Sequence, residues 1–275
     1  WVFEKIFGID RFSLEAELLD ERSLGNLYHE ILREFFSRIK EQDGVFNPDQ
    51  VANYRTWIRE CVHEAALHYP AFRGPLAAPL IIAQEKAMSK RLIRLLEMEI
   101  LYFPGYGISG LEQKMELLIK LENGSALLNG KIDRVSLSPD GDPIIIDYKT
   151  GGFPTKLECT FDEEKGLVEF QIPLYIRLYE GLHTNVRVEG AFYISINRND
   201  LGAIVGKPGS KQGHTRDEYQ PSLDVLDNYI EEFARNLGSL HFIPDDTQLG
   251  RCSECSYRNI CRSSYNLNTH KGVRV

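Results

Sequence analysis

Apolar residues in the N-terminal part of the chain recur every three to four positions. From Leu24 onward they fall at Leu24, Leu27, Tyr28, Ile31, Leu32, Phe35, Phe36 and Ile39, one stripe of an amphipathic helix. Ser23 offers a side-chain oxygen to the first free amides, so the pattern predicts a helix over 24–40. His29 lies at the edge of this stripe, beside Leu32 and Phe36. Two further helices are predicted over about 48–68 and 79–101, with Pro70, Gly74 and Pro75 between them.

The pattern then changes. Residues 111–121 fit a helix or a strand by periodicity alone. Asn123-Gly124 follows, between that run and the apolar run 126–137, and Asn-Gly in that position signals a hairpin. Both runs therefore read as strands. Pro139-Asp140-Gly141-Asp142 makes the next turn, and Pro143 to Lys149 reads as a third strand. Residues 165–182 read as a helix, 188–196 as a strand, 197–220 as a long polar loop, and 222–237 as a final amphipathic helix. Helices followed by a meander, a helix, a strand and a helix imply an α/β fold: a mixed sheet core flanked by helices, with an N-terminal helical elaboration. The expected organisation is one domain over 1–275. It comprises a helical part (1–110), an α/β core (111–240) and a tail with three cysteines (241–275).

Composition narrows the class. The 275 residues suit one large domain or two small ones. No apolar run is long enough to span a bilayer, and Trp1 to Asp10 do not resemble a signal peptide, so no membrane role is expected and the cytoplasm is the expected location. A start at Trp rather than Met suggests a piece of something longer, or a trimmed chain. The formal net charge of −8 argues against a passive coat for nucleic acid. It leaves room for an enzyme with acidic residues at a metal site and a local basic rim. One such rim is Arg198 to Arg216, with Lys207, Lys211 and His214; the alternative is a solvated surface loop.

The chemistry concentrates at Asp147-Tyr148-Lys149. Asp147 and Lys149, two apart on a strand, point to the same face. Asp133 stands on the neighbouring strand. Cleavage of a phosphodiester needs an activated water and relief of negative charge on phosphorus, and divalent metal ions supply both. Mg²⁺ takes hard oxygen ligands, here Asp133, Asp147 and the Tyr148 carbonyl. Lys149 would stabilise charge on the phosphate. Mn²⁺ also accepts imidazole, which admits His29. Gln171 and Tyr175, at i and i+4, share a helix face. Each residue also has a plainer reading. Asp133 would pair with Arg134 or Lys131, Lys149 would be a solvated strand end, His29 a hydrogen-bonded core histidine, and Gln171 and Tyr175 ordinary helix residues.

Four segments in order carry a resemblance. Gly25-Asn26-Leu27-Tyr28-His29-Glu30-Ile31-Leu32 resembles a histidine motif. Gly130-Lys131-Ile132-Asp133-Arg134 resembles G-x-x-D-R. Ile146-Asp147-Tyr148-Lys149-Thr150-Gly151 resembles D-Y-K-T-G, and Gln171-Ile172-Pro173-Leu174-Tyr175 resembles Q-x-x-x-Y. Together they are similar to the PD-(D/E)XK nuclease superfamily, in its RecB-like branch, which includes the nuclease domains of RecB and AddB. The resemblance implies a restriction-endonuclease-like core and a Mg²⁺- or Mn²⁺-dependent deoxyribonuclease, exonuclease rather than endonuclease. It implies His29, Asp133, Asp147 and the Tyr148 carbonyl as metal ligands and Lys149 as the catalytic lysine. Gln171 and Tyr175 would contact DNA or brace the active-site strand, and Glu112 is a further acid supporting the site. DNA is the expected partner. A helicase domain, in the same chain or in a partner subunit, is expected alongside it in DNA-end processing and recombinational repair. The chain itself has no Walker A motif. Alternatives are a catalytically silent DNA-binding or scaffolding module of the same fold, or a restriction-type or stand-alone exonuclease. An intact His-Asp-Asp-Lys set favours the enzyme.

Cys252, Cys255 and Cys261 form a C-x2-C-x5-C tail, a spacing that suits zinc or an iron–sulfur cluster. The tail resembles that of AddB-type nucleases, which implies a [4Fe–4S] cluster completed by a fourth cysteine before the histidine helix. No cysteine precedes His29 here. The cluster is therefore expected in the full-length protein, with its fourth ligand just upstream of Trp1, and not in this chain. Cys61 is a weaker substitute and Cys159 a plain thiol.

Overall fold

The computed structural model describes residues 21–68, 77–121 and 124–239, most of them in one compact unit, Glu17–Glu232. Helix α1 spans Glu21–Gln42, so Ser23 lies inside the helix instead of capping it. Its apolar stripe is the buried one: Leu27, Tyr28, Ile31, Leu32, Phe35, Phe36 and Ile39 are all buried. A 3-10 turn at Pro48–Gln50, where the Asn47 side chain accepts the Asp49 amide, leads into α2 at Val51–His68. Helix α3 is Ala77–Tyr102.

A five-stranded sheet follows, in the order β1-β2-β3-β4-β5. Strands β1 (Gly107–Leu121), β2 (Gly124–Leu137) and β3 (Pro143–Lys149) form the antiparallel meander. Helix α4 (Gln171–Leu182) carries the chain across to β4 (Gly190–Ser195), which pairs parallel with β3. Strand β5 (Asp200–Val205) returns antiparallel beside β4, and α5 (Arg216–Gly238) follows.

Three expectations need correcting here. Residues 165–170 are not helical, because the chain closes a turn with reciprocal backbone bonds between Asp162 and Gly166 before α4 begins. The segment 197–220 is not one long loop. Every residue of β4 is buried, and β5 supplies partners for its backbone while burying Leu201, Ala203, Ile204 and Val205. Helix α5 starts six residues earlier than predicted and takes Pro221 inside it. Its start is a capping box: Thr215 Oγ1 accepts the Glu218 amide at 3.2 Å and Glu218 Oε2 accepts the Thr215 amide at 2.8 Å.

The sheet has a core on each face. Ile144, Ile146, Tyr148, Phe192 and Ile194 pack with α1, α2 and α3. Ile145, Ala191 and Tyr193 pack with Ile172 and Ile176 of α4 and with Tyr219 and Leu223 of α5. Covering on both faces explains the unbroken apolar run of β3. The period of two then turns the Tyr148 ring to the helical layer and Asp147 and Lys149 to the α4 side.

One ion pair locks these layers. Arg134 Nη2 lies 2.7 Å from Glu99 Oε2, with side chains 1% and 0% exposed. The guanidinium carbon sits 4.0 Å from the Phe36 ring centroid and 5.5 Å from that of Tyr148. The pair therefore joins α3, α1, β2 and β3. Arg134 Nε and Nη1 and Glu99 Oε1 have no hydrogen-bond partner among the described residues. We expect Arg134→Ala to destabilise by about 3–5 kcal/mol, because it strands a buried carboxylate. Arg134→Met combined with Glu99→Leu should recover most of that loss. Urea unfolding of the three proteins checks this, and equal losses in single and double variants would refute it.

Candidate active site

Strands β2 and β3 pair from Leu137↔Pro143 to Arg134↔Ile146 and then part. At the parting point a side chain replaces the ladder: Asp133 Oδ2 accepts the Tyr148 amide at 2.9 Å. The β1–β2 ladder is interrupted at the same level. Leu111↔Arg134 and Gln113↔Ile132 are paired, and Glu112 and Asp133 between them are not. Glu112 has φ 47°, a left-handed conformation that costs a non-glycine residue on the order of 1–3 kcal/mol. In that conformation its carboxylate meets His29 of α1 and Lys131 of β2.

His29 Nδ1 lies 3.3 Å from Glu112 Oε1 and 3.3 Å from Asp133 Oδ1. One ligand atom from each of His29, Glu112 and Asp133 falls within 4.8 Å of the others. Burial alone would lower the imidazole pKa, but the bonds to the two carboxylates outweigh it and push it up to about 10. Burial would raise the Glu112 carboxyl, yet His29 and Lys131 hold it below its ordinary value. An imidazolium and an ammonium thus balance this acidic group, and a cation bound there would displace the His29 proton.

The second half of the site faces α4. Lys149 Nζ is 2.8 Å from Asp147 Oδ2 and donates to Gln171 Oε1 at 2.6 Å. Gln171 Nε2 donates to Asp147 Oδ1 at 2.7 Å and lies 2.9 Å from the Tyr175 hydroxyl. Burial, reinforced by the nearby Asp133 charge, raises the Asp147 carboxyl to about 7 against the pull of Lys149. Burial also raises the Tyr175 phenol to about 12. Two glycines let the elements approach. A Cβ on Gly25 would sit 3.2 Å from Thr150 Oγ1, and one on Gly130 would sit 2.7 Å from Leu178 Cδ1 and 3.3 Å from Tyr175 Cε1.

The structure therefore brings His29 together with Asp133, and Asp147 together with Lys149, Gln171 and Tyr175. The two halves meet through the Asp133–Tyr148 bond and the repulsion between Asp133 and Asp147. Glu112, first read as a supporting acid, stands in the ligand group with His29 and Asp133, and Asp147 is not in that group. The Tyr148 ring points to the other face, 6.4 Å from the Phe36 centroid. Arg33, one turn beyond His29, lines the same small cavity. Sequence reasoning passed it over, although its i+4 spacing from His29 was the signal. Part of the expected basic rim is engaged in internal pairs. Lys211 pairs with Asp200 at 2.8 Å, the buried Arg216 pairs with Glu180 at 3.0 Å, and His214 Nε2 lies 3.0 Å from Thr160 Oγ1. Internal partners thus engage these three groups, and Arg198 and Lys207 stay exposed. Cys61 and Cys159 are buried thiols raised by that burial to about 12, and Cys252, Cys255 and Cys261 lie outside the described residues.

A mixed five-stranded sheet flanked by helices, with carboxylates and a lysine where β2 and β3 part, defines a restriction-endonuclease-like α/β protein. Residues 1–262 match the family model of the PD-(D/E)XK nuclease superfamily, and the chain belongs to that superfamily. Its members usually use divalent metal ions, so membership points to a metal-dependent nuclease. An uncharacterized protein of Treponema pallidum (strain Nichols) is 28% identical over 76 residues, a match that spans 28% of this chain and 10% of that protein. The crystal structure of SSO0001 aligns with 90% of this chain and 98% of its own, at 13% identity and a TM-score of 0.32, which is too low to carry an argument. Among the described residues no helix is long and apolar enough to cross a membrane.

The raised Asp147 carboxyl makes a signed prediction for the metal-free protein. A folded-state pKa of about 7 against the ordinary 3.8 of an aspartate means that the folded chain holds this proton more tightly than the unfolded chain. The stability this contributes is complete below about pH 4 and is lost as the pH rises through about 7. Asp147→Asn does not titrate. Its stability relative to the parent should therefore increase between pH 4 and pH 7 and level off above. Thermal unfolding in EDTA across that range checks it; a pH-independent difference would show that the carboxyl is not raised.

Proposed function

We propose that this unit is a Mg²⁺- or Mn²⁺-dependent deoxyribonuclease of the RecB-like branch, acting as an exonuclease. The observation that carries the reading is the convergence of His29, Glu112 and Asp133 next to Asp147 and Lys149 at the point where β2 and β3 part. One imidazole nitrogen among carboxylate oxygens suits Mg²⁺ or Mn²⁺ better than a soft metal. His29, Asp133, Asp147 and the Tyr148 carbonyl would hold the ion, with Glu112 as an added carboxylate. A bound ion supplies an activated water and relief of negative charge on phosphorus.

The chain's own groups do the rest. Lys149 stabilises charge on the phosphate, at the end of a rigid strand. Gln171 fixes Asp147 and Lys149 through two hydrogen bonds and is itself joined to Tyr175. We place the unit in the C-terminal part of a bacterial helicase–nuclease in the cytoplasm. There it would process DNA ends in recombinational repair, with the helicase in the same chain or in a partner subunit. Cys252, Cys255 and Cys261 would be ligands of a [4Fe–4S] cluster in that longer protein.

Linear DNA should be cut in Mg²⁺ or Mn²⁺ and left intact in EDTA. Asp147→Ala and Lys149→Ala should each lower the rate by about 10²–10³ with an unchanged circular dichroism spectrum. Cleavage that persists in EDTA, or more than half the activity in either variant, would refute the reading. DNA binding by the parent chain without cleavage would assign the silent module instead.

A further inference from the structure

Away from the nuclease centre, α2 and α3 border an open groove of about 730 Å³. Five cations line it, Arg55, Arg59, Lys86, Lys90 and Arg94, against two carboxylates. Both carboxylates are already engaged. Glu97 pairs with Arg55 at 2.6 Å, and Glu85 with His63 at 3.2 Å. Arg59, Lys86, Lys90 and Arg94 are exposed and have no acidic partner among the described residues.

The spacing is specific. Lys86, Lys90 and Arg94 follow one another at i, i+4 and i+8, so they form a single row on α3. At 1.5 Å rise per residue, successive charges stand about 6 Å apart along the helix. Like charges at i, i+4 weaken a helix, and this row occurs in a chain of net charge −8. The row does not hold α3 in place. The helix docks through other residues, with Arg91 donating to the Tyr28 hydroxyl and Glu99 paired with Arg134.

We propose that this groove is a binding track for the phosphate backbone of a DNA strand, engaged outside the nuclease centre. The inference rests on the nuclease reading for the identity of the polyanion. The rest is charge complementarity: a row of unpaired cations at regular spacing matches a ligand with regularly spaced anions, and each phosphate it neutralises releases counterions. Such a track would retain a long substrate between cuts, which the metal centre alone cannot do.

The test uses Lys86→Gln/Lys90→Gln/Arg94→Gln in the full chain. Binding of labelled single-stranded oligonucleotides, about 25 and about 5 nucleotides long, is measured by anisotropy in EDTA over a range of salt. Removing three phosphate contacts should reduce the slope of log K against log salt by about 2 for the long oligonucleotide. Cleavage of the short one in Mg²⁺ should be unchanged. Lys86→Arg/Lys90→Arg/Arg94→Lys keeps the charges and should keep the slope. An unchanged slope in the glutamine variant, with circular dichroism intact, overturns the proposal. Polyglutamate bound by the parent and lost by the variant as strongly as DNA also overturns it, and assigns the groove to an acidic protein segment. Failure of the nuclease reading looks different: the parent binds the long oligonucleotide with the steep slope and cuts nothing in Mg²⁺.

Discussion

The buried pair of Arg134 and Glu99 is the constraint on which the rest of the site depends. Arg134 is the residue after Asp133, and its guanidinium packs against Phe36, which stands about two turns along α1 from His29 on the same side of the helix. It also lies over Tyr148, the residue between Asp147 and Lys149. One side chain thus fixes the neighbours of four of the functional residues. An ion pair so completely removed from water gains little net stability. What it provides is position. An apolar pair of equal volume would slide along the helical layer, whereas a guanidinium bonded to one carboxylate and stacked on two rings has one placement. The strands part just beyond it, and that parting leaves Asp133 free to cap the Tyr148 amide.

The centre built on that frame is electrostatically tense without a cation. Asp133 and Asp147 repel each other, and Asp147 is nearly removed from water. The protein answers with His29, Lys131 and Lys149, each bonded to a carboxylate of the group. Glu112 adds backbone strain to the electrostatic cost. Strain and repulsion placed side by side mark a region shaped for something other than the folded state's own stability.

Much of this was legible in the sequence. The stripe of α1, the antiparallel pairing of β1 with β2, the alternation that separates Tyr148 from Asp147 and Lys149, and the i, i+4 placement of Gln171 and Tyr175 all follow from period and spacing. The parts that were not legible depend on tertiary contact. Glu112 sits in an ordinary strand pattern, and only the break opposite Asp133 turns it toward His29. Glu99 looks like one more charge on a helix until Arg134 is found facing it. The glycines and charges of 197–220 hid β5, although its own Leu201, Ala203, Ile204 and Val205 are apolar and pair it with β4. The Thr215–Glu218 capping box was there to be read, and the predicted start at 222 lies past it. Part of the expected basic rim is engaged by carboxylates, Asp200 within the same segment and Glu180 from α4.

The parallel pairing of β3 with β4 has a consequence for how the protein comes into being. Strands β1 to β3 meet through short turns and can zip locally, whereas β4 reaches β3 only after α4 and the segment before it have crossed over. Pairings distant along the chain are slow, because loop-closure entropy is lost before they form. On that ground the meander that carries Glu112, Asp133 and Asp147 is expected to assemble before Gln171 braces Asp147 and Lys149. A newly made chain should therefore gather its carboxylates before it acquires the grip that aligns them.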